Sequence, residues 1–221
     1  MKQERAVRTR QALIRSAAEA FEGHGYVQAS LADISSGAGV TAGALHFHFE
    51  TKAALASVVE ARAAATLRHA ARAAQLPGMN ALQRLTSVSQ ALAERFRNDI
   101  VVSAGFHLSC ETPERSGLDL RGEWFDCIQR LLAKADNEDL LLDGLSKLDI
   151  ATCIAAATAG FEALGRTEPS WLSSTSLARF WRVVLPCLAS AEVVATVDPA
   201  YTPLPGSRSD SRAAGPERRQ P

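Results

Sequence analysis

Long hydrophobic runs are missing from this sequence of 221 residues. Nowhere do about 18 apolar residues follow one another, so the sequence does not predict a membrane-spanning helix. The basic N-terminus is not followed by the uninterrupted apolar segment of a secretory signal peptide. Hydrophobic residues still make up 47% of the chain and charged residues 22%, which is typical of a folded globular protein. We therefore expect a cytoplasmic protein with no membrane partner.

Cysteine is scarce, and the four cysteines in the chain lie far apart in mostly apolar surroundings. This pattern favours reduced, buried thiols over disulfides or a metal site. The sequence also has no nucleophile elbow, no glycine-rich phosphate loop after a strand and no metal-ligand spacing. We expect neither an enzyme nor a cofactor.

Net charge is absent too, because 24 basic residues balance 24 acidic ones. Any surface for nucleic acid must come from a local charge pattern. The start of the chain supplies one, with basic residues at Lys2, Arg5, Arg8, Arg10 and Arg15 against Glu4 alone.

Strand-like alternation persists nowhere, whereas helical spacing of apolar residues recurs almost throughout, so we expect an all-α fold. An apolar stripe that includes Leu13 and Phe21 predicts a first helix from Thr9 to about His24, ended by Gly23 and Gly25. A long alanine-rich helix is predicted from Thr51 to just before Pro77. Further helical stretches are predicted over 80–98, 100–112, 118–136, 146–166 and 171–195, and Pro186 should kink or divide the last.

Two short helices are predicted between Ser30 and Phe49. Ser30 is the N-cap of the first and Thr41 of the second, and Gly39 lies in the turn that joins them. So short a pair needs the first helix as a lid, with five residues facing inward: Leu31, Ile34, Val40, Leu45 and Phe47. This is the arrangement of a helix-turn-helix, whose second helix enters the major groove of DNA. The alternative is a generic helical corner.

Small residues on the second short helix suit close approach to base edges, and Thr41 can offer its hydroxyl to a phosphate. Lys52 begins the next helix, where its ammonium and the exposed N–H groups favour another phosphate. His46 and His48 are two residues apart and point roughly 200° apart on a helix, so they do not predict a metal site. The candidate DNA-binding residues are Arg5, Arg8, Ser30, Thr41, Ala42, Gly43, His46, His48 and Lys52.

Residues 5–55 resemble the DNA-binding head of the TetR family. The resemblance runs from the arginine-rich start through Phe21-Glu22 and Gly25-Tyr26 to Ala38-Gly-Val-Thr41, Gly43-Ala-Leu-His-Phe-His-Phe49, Lys52 and Leu55. It implies a dimer that binds double-stranded operator DNA and a small-molecule effector. Relatives often carry lysine where Ala42 stands and tyrosine where His46 stands. These departures leave open a helical ligand-binding protein with weak or lost DNA binding.

The resemblance extends to the γ-butyrolactone receptor branch through Gly105, Trp124 and Leu131-Leu132, and it fades after about residue 135. In that branch a tryptophan donates a hydrogen bond to the lactone, and Trp124 is the matching residue. His46 is instead more like the pseudo-receptors, which respond to antibiotics or their precursors. The resemblance therefore implies a repressor released by one of these two ligand types.

A ligand pocket needs apolar walls and a few polar groups. The alternative for each residue of such an aromatic cluster is a place in the core. The candidate ligand-binding residues are Phe96, Phe106, His107, Ser109, Trp124, Cys127, Ile128 and Leu131.

The last helical stretches are predicted to form a two-fold interface of four helices. The predicted contact residues are Ala151, Ile154, Ala155, Thr158 and Phe161 on one stretch and Phe180, Trp181, Val184 and Leu188 on the other. We expect a helix-turn-helix domain over residues 1–50 and a helical ligand-binding and dimerisation domain over 51–197. Residues 198–221, with five prolines and four arginines, are predicted to be a disordered tail.

Overall fold

The computed structural model describes residues 2–111 and 117–200, and this part of the chain is helical, with no strand. The prediction of an all-α fold is confirmed. The α-helices are α1 (Lys2–Gln28), α2 (Leu31–Gly37), α3 (Ala42–His48), α4 (Lys52–Ala73), α5 (Ala81–Asn98), α6 (Ile100–Glu111), α7 (Leu120–Asn137), α8 (Lys147–Gly165), α9 (Ser174–Leu188) and α10 (Ala191–Ala195). A short 3₁₀ helix, Pro169–Leu172, lies between α8 and α9.

Helix α1 begins earlier than predicted. It starts at Lys2 rather than Thr9, because residues 2–8 contain good helix formers and no glycine or proline. The basic start of the chain is therefore the first part of α1 and not a separate arm. Gly25 has φ 74° and ψ 163°, so the regular helix is interrupted at one of the two glycines predicted to end it.

Side-chain caps fix the short helices α2 and α3. The Ser30 hydroxyl accepts a hydrogen bond from the Asp33 amide, and the Thr41 hydroxyl accepts one from the Ala44 amide. Gly39 has φ 66°, a conformation that favours glycine, in the turn between them. The predicted helix-turn-helix geometry is confirmed.

One inward residue of the helix-turn-helix was predicted wrongly. Phe47 is 82% exposed, whereas Phe49 is buried. Leu45 is buried on α3, and Phe49 lies one turn further along the chain, on the same side. Phe47 is two residues from Leu45, so it points to the opposite side of the helix.

Helix α4 connects the head to the rest of the molecule. Its 22 residues span about 33 Å at 1.5 Å per residue. Its first turns, with Leu55 and Val59, share one buried core with α1 and with Ala104 and Leu108 of α6. Helices α4 and α6 approach closely at Gly105, where an added Cβ would lie 2.5 Å from the Cβ of Ala63. The head core therefore extends past residue 50 into α6.

A second core fills the space between α5, α7, α8 and α9. Trp181 is fully buried there and donates its indole N–H to the Ser89 hydroxyl at 2.7 Å. Pro186 lies inside α9 and does not divide it; the helix ends at Leu188, two residues later. Gln90 of α5 donates to the carbonyl of Pro199 at 2.7 Å, at the start of the predicted tail. The rest of that tail, 201–221, lies outside the described residues.

Helix α8 is long and apolar enough, by length and composition alone, to cross a membrane, contrary to the expectation from the sequence. Core helices of soluble proteins pass the same test. Only 28% of the apolar window in α8 is buried, because one side, with Ala151 and Ile154, packs in the core while the other faces outward.

Candidate nucleic-acid interface and ligand cavity

The N-terminal half of α3 is exposed and carries only small side chains. Thr41, Ala42 and Gly43 are all exposed, and a Cβ added at Gly43 would meet nothing closer than 4.0 Å. Because nothing bulky projects here, the helix backbone is able to lie close to another surface. The chain's fold thus presents this end of α3 as the sequence predicted.

The aromatic half of α3 is less uniform. His46 is exposed, while His48 is half-buried, with its ring edge-on to Phe47 at 5.2 Å between centroids. Among the described residues no three His, Cys, Asp or Glu side chains lie together as a metal site would need. The sequence analysis did not predict that Phe47 is exposed. Leu45 and Phe49 are spaced by one helical turn, so a residue midway between them lies on the opposite side of the helix.

Lys52 does not face outward as predicted. Its ammonium donates hydrogen bonds to the carbonyls of Tyr26, Val27 and Ala29 at 2.9, 3.1 and 2.9 Å. It also lies 4.7 Å from the centroid of the Tyr26 ring. The ammonium has three N–H donors, and all three are used at the C-terminal end of α1, where helix carbonyls attract a cation. The structure therefore makes Lys52 a cap of α1 in place of a phosphate contact.

The remaining residues predicted to contact DNA differ in whether their side chains are exposed or already have a partner within the chain. Arg5 and Arg8 are exposed on the first turns of α1. Ser30 is occupied by the N-cap of α2, where its hydroxyl also donates to the Asp33 carboxylate at 2.6 Å. The guanidinium of Arg10 lies 5.3 Å from the centroid of the Phe49 ring, which ties α1 to the end of α3.

A cavity of about 1150 Å³ opens between α4, α5, α6, α7 and α8. Its wall is mostly apolar and includes Leu67, Leu92, Leu120 and Leu177. Four of the predicted ligand-binding residues line it: Phe96, Phe106, Trp124 and Cys127.

The other four predicted ligand-binding residues lie outside the cavity lining. Ile128 and Leu131 are core residues packed against α5 and α8. The Ser109 hydroxyl is buried and donates to the Phe106 carbonyl within α6, at 2.7 Å. His107 points toward α1 and α8. These residues share a helix with lining residues but lie on its other side.

Trp124 enters the cavity wall with its polar atom already bonded. The indole N–H donates to the Thr158 hydroxyl at 2.9 Å. That hydroxyl in turn donates within α8, to the carbonyl of Ile154 or Ala155. A ligand that accepts from Trp124 must therefore take the place of Thr158.

Several charged groups at the cavity contact other side chains. Arg68 donates to the Glu123 carboxylate, with 2.8 Å between Arg68 Nε and Glu123 Oε2. The Arg121 guanidinium lies 5.5 Å from the centroid of the Phe106 ring. Glu162 is the buried carboxylate of the lining.

Glu162 is held by His107, which also holds the DNA-binding head. Nε2 of His107 lies 2.5 Å from Glu162 Oε1, and Nδ1 lies 2.8 Å from Glu22 Oε2. Burial of the ring opposes its charge, but the hydrogen bonds to Glu162 and Glu22 and the charges of both carboxylates outweigh it. Together they raise the pKa of His107 to about 9.

Glu22 responds in the opposite direction. Burial works to raise its pKa, but the hydrogen bond and charge of His107, the charge of Arg166 and a weak hydrogen bond from Ser103 lower it below the ordinary value. His107 and Glu22 are thus both charged at neutral pH.

Comparison with known proteins agrees with this architecture. Residues 13–59 match the family described as bacterial regulatory proteins, tetR family. The A-factor receptor protein of Streptomyces griseus is 28% identical over 199 residues, which are 90% of this chain and 70% of that receptor.

Two solved structures are similar over nearly their whole length. A crystal structure of a γ-butyrolactone receptor, an ArpA-like protein, has a TM-score of 0.77 at 25% identity and covers 89% of this chain and 96% of its own. CprB of Streptomyces coelicolor, solved with its biological operator sequence, has a TM-score of 0.74 at 26% identity and covers 86% and 93%.

These relatives are receptors and DNA-binding regulators, and none is named as an enzyme. The confirmed helix-turn-helix lies within the matched segment, and the similarity continues through the helices that enclose the cavity. Residues 13–59 thus form a DNA-binding segment of the tetR family, and the chain as a whole resembles the γ-butyrolactone receptors.

Proposed function

We propose that this protein is a cytoplasmic, dimeric repressor that binds a palindromic operator and is released from it by a small molecule. The observation that carries the proposal is the combination of an exposed, capped α3 with a large apolar cavity in one chain. Either feature alone would fit many proteins. Together they match a regulator that reads DNA at one end and a ligand at the other.

The DNA-contacting surface comprises the start of α3 and the exposed arginines of α1. The hydrogen of the Thr41 hydroxyl is available to a phosphate, because its oxygen accepts from the Ala44 amide. Ala42 and Gly43 allow the helix to lie close to base edges, and Arg5 and Arg8 supply charge for the backbone. We add Phe47 to this surface, since an exposed aromatic ring on a recognition helix suits apolar contact with a thymine methyl group.

The proposed dimer interface is the outer side of α8 and α9. Four residues predicted from the sequence as dimer contacts are instead buried within the chain, namely Ala151, Ile154, Trp181 and Leu188. Ala155 lines the cavity, and Thr158 is bonded to Trp124. These residues repeat at helical spacing, but on the side that the chain itself covers.

The opposite sides of the same two helices stay uncovered. Leu148 is 57% exposed, Leu164 45% and Val183 71%, and Ala156 is exposed between the first two. The Thr152 hydroxyl on this side of α8 is satisfied by the Leu148 carbonyl at 2.8 Å, so it adds little polarity. An apolar surface with small residues suits close packing against a two-fold related copy.

The proposed effector is a largely apolar small molecule, either a γ-butyrolactone or another secondary metabolite. The aromatic wall of Phe96, Phe106 and Trp124 supports an apolar body. The family resemblance implies that Trp124 donates a hydrogen bond to a lactone. The indole N–H is already bonded to Thr158, which weighs against that contact in this chain. The choice between the two ligand types therefore depends on a binding experiment.

Release is a two-state equilibrium in this proposal. The effector binds better to a conformation in which α4 changes the spacing of the two heads, and the operator binds better to the other. The close α4–α6 contact at Gly105 supports rigid transmission, since α6 contributes Phe106 to the cavity wall.

A gel-shift titration with a palindromic duplex from the gene's own promoter tests the proposal. We expect a sequence-specific shift by the dimer, which is lost when Thr41 and Phe47 are both replaced by alanine. A folded, dimeric protein that shifts no duplex at low salt would favour the alternative of a ligand-binding protein without DNA binding. Two observations support that alternative. Ala42 and His46 stand where DNA-binding relatives often carry lysine and tyrosine, and the ammonium of Lys52 is already bonded to carbonyls of this chain.

A further inference from the structure

Three hydrogen-bonded side chains form a continuous path from the cavity to the DNA-binding head. Glu162 of α8 lines the cavity, and it is bonded to His107 of α6 at 2.5 Å. His107 is bonded in turn to Glu22 near the end of α1, at 2.8 Å. His107 is 8% exposed and Glu162 7% exposed, so water competes little for either contact.

The path requires a protonated histidine. A neutral imidazole has one N–H and donates to one carboxylate, whereas the imidazolium donates to both. The elevated pKa of His107 agrees with the two-sided contact. The charged and polar groups that face the cluster are Arg166, which follows the last residue of α8 and lies 3.8 Å from Glu22, and the Ser103 hydroxyl of α6, 3.5 Å from Glu22. Cys110 of α6 also lies within electrostatic range of Glu162.

We propose that the chain Glu162–His107–Glu22 reports occupancy of the cavity to the DNA-binding head, an inference that rests on the proposed function for its biological meaning. A ligand that donates a hydrogen bond to Glu162 competes with His107 for that carboxylate. When Glu162 turns toward the ligand, the imidazolium loses one of its two acceptors. Its hold on Glu22, and so on the end of α1, changes as a result.

Glu22 is well placed to receive this change. It lies three residues before Gly25, where the helix is interrupted, and next to Phe21 in the head core. Tyr26, just beyond, supplies one of the carbonyls that hold Lys52 at the start of α4. A shift at Glu22 therefore acts on the junction of α1 with α4, where the orientation of the head is set.

Hydrogen–deuterium exchange on the full-length, ligand-free protein tests the path without any knowledge of the effector. In Glu162→Gln the side chain keeps its size but loses its charge. We expect amides of residues 20–28 to exchange about tenfold faster than in the unsubstituted protein, in the range usual for coupled sites. The pKa of His107, measured by NMR titration of its ring protons, should fall well below 9.

The matched control is Glu123→Gln. Glu123 also lines the cavity, but its partner is Arg68 and it has no bond to α6 or α1. We expect exchange in residues 20–28 to stay unchanged. Equal acceleration in both variants would overturn the proposal, because it would reflect general loosening of the cavity wall. Unchanged exchange in Glu162→Gln would overturn it as well.

The reciprocal variant Glu22→Gln keeps the proposal testable if Glu162→Gln does not fold. Coupling between two sites acts equally in both directions. We expect Glu22→Gln to lower the pKa of His107 and to speed exchange in residues 159–165 of α8, on the far side of His107. No change in that segment would contradict the path.

DNA binding is measured separately on the same variants. If the unsubstituted protein binds the palindromic duplex, Glu162→Gln should lower its affinity about tenfold and Glu123→Gln should not. If the unsubstituted protein binds no duplex, the proposed repressor function fails, while the exchange and NMR data still decide whether the cavity and the head are linked.

Discussion

The indole N–H of Trp124 on α7 donates to the hydroxyl of Thr158 on α8 at 2.9 Å, within the wall of the cavity. The bond ties two helices together and also satisfies the donor that an effector would use. Thr158→Val keeps the side-chain shape but removes the acceptor. We expect the free energy of unfolding to fall by about 1 kcal/mol, the usual net value of such a bond. Affinity for an effector with a hydrogen-bond acceptor should rise.

Urea unfolding and calorimetric ligand titration measure these two effects. Thr167→Val is the control, because the Thr167 hydroxyl is exposed and bonds only to the nearby Leu164 carbonyl, at 3.1 Å. Equal unfolding midpoints for the two variants would mean that Thr158 does not hold Trp124 in solution.

Lys52 gives a prediction about stability where the sequence alone predicted an effect on DNA. In Lys52→Met the three carbonyls at the end of α1 lose their shared donor. We expect a loss of about 1–3 kcal/mol in the free energy of unfolding. The salt dependence of operator binding should stay the same, whereas Arg8→Ala should reduce its slope by about one. A reduced salt slope in Lys52→Met would show that Lys52 contacts the DNA backbone after all.

The helical pattern and the caps were readable from the sequence because they depend on near neighbours. Ser30, Gly39 and Thr41 act within three residues of their own positions, so their roles in α2, the turn and α3 were predicted correctly. Phe47 shows the limit of this reasoning. Its apolar character suggested the core, but the orientation of Leu45 and Phe49 leaves it on the surface.

Long-range partners explain the other errors. Lys52 finds its carbonyls 23 to 26 residues earlier in the chain, and His107 finds Glu22 and Glu162 at separations of 85 and 55 residues. No spacing rule connects such positions. The predicted dimer contacts Ala151 and Ile154 are buried within the chain for a related reason, because helical periodicity finds an apolar side of α8 but does not tell which neighbour covers it.

The protonated state of His107 makes stability depend on pH in a defined window. Its pKa rises from 6.5 in the ordinary state to about 9 in the folded protein. The stabilisation is therefore complete below about pH 6.5 and is lost as the pH rises through 9, with a magnitude of about 3 kcal/mol. The pKa of Glu22 is lowered in the folded protein, so Glu22 contributes to the pH dependence in acid. Its stabilisation is present above the ordinary pKa of a glutamate and is lost as the pH falls through the lowered pKa.

Urea unfolding from pH 6 to pH 10 tests this dependence. We expect the difference in unfolding free energy between the unsubstituted protein and His107→Gln to shrink as the pH rises. Thr167→Val supplies the control, since it removes no titratable group and should give a difference that does not vary over this range. A constant difference for His107→Gln would show that folding does not raise the pKa of its ring.

The close contact between α4 and α6 predicts unequal effects of two glycine substitutions. At Gly105 an added Cβ would lie 2.5 Å from the Cβ of Ala63 and 2.7 Å from the Val59 carbonyl oxygen, so the helices must separate. We expect Gly105→Ala to destabilise the protein by about 1–3 kcal/mol. At Gly23, in α1, nothing lies within 4 Å, and alanine should stabilise the helix by up to about 1 kcal/mol. Thermal unfolding distinguishes the two, and equal melting temperatures would contradict the tight contact.

Phe47 and Phe49 form a matched pair for separating DNA binding from stability. Phe47 is 82% exposed, so Phe47→Ala should change the free energy of unfolding by only about 0.5 kcal/mol or less. If the ring contacts thymine methyl groups, operator affinity should fall by about tenfold, and the loss should be smaller on duplexes in which the contacted base is replaced by cytosine. Phe49 is 4% exposed, and Phe49→Ala should lower stability by about 3–5 kcal/mol. Binding by Phe47→Ala as tight as that of the unsubstituted protein would remove Phe47 from the operator-contacting surface, because its exposure would then serve no DNA contact.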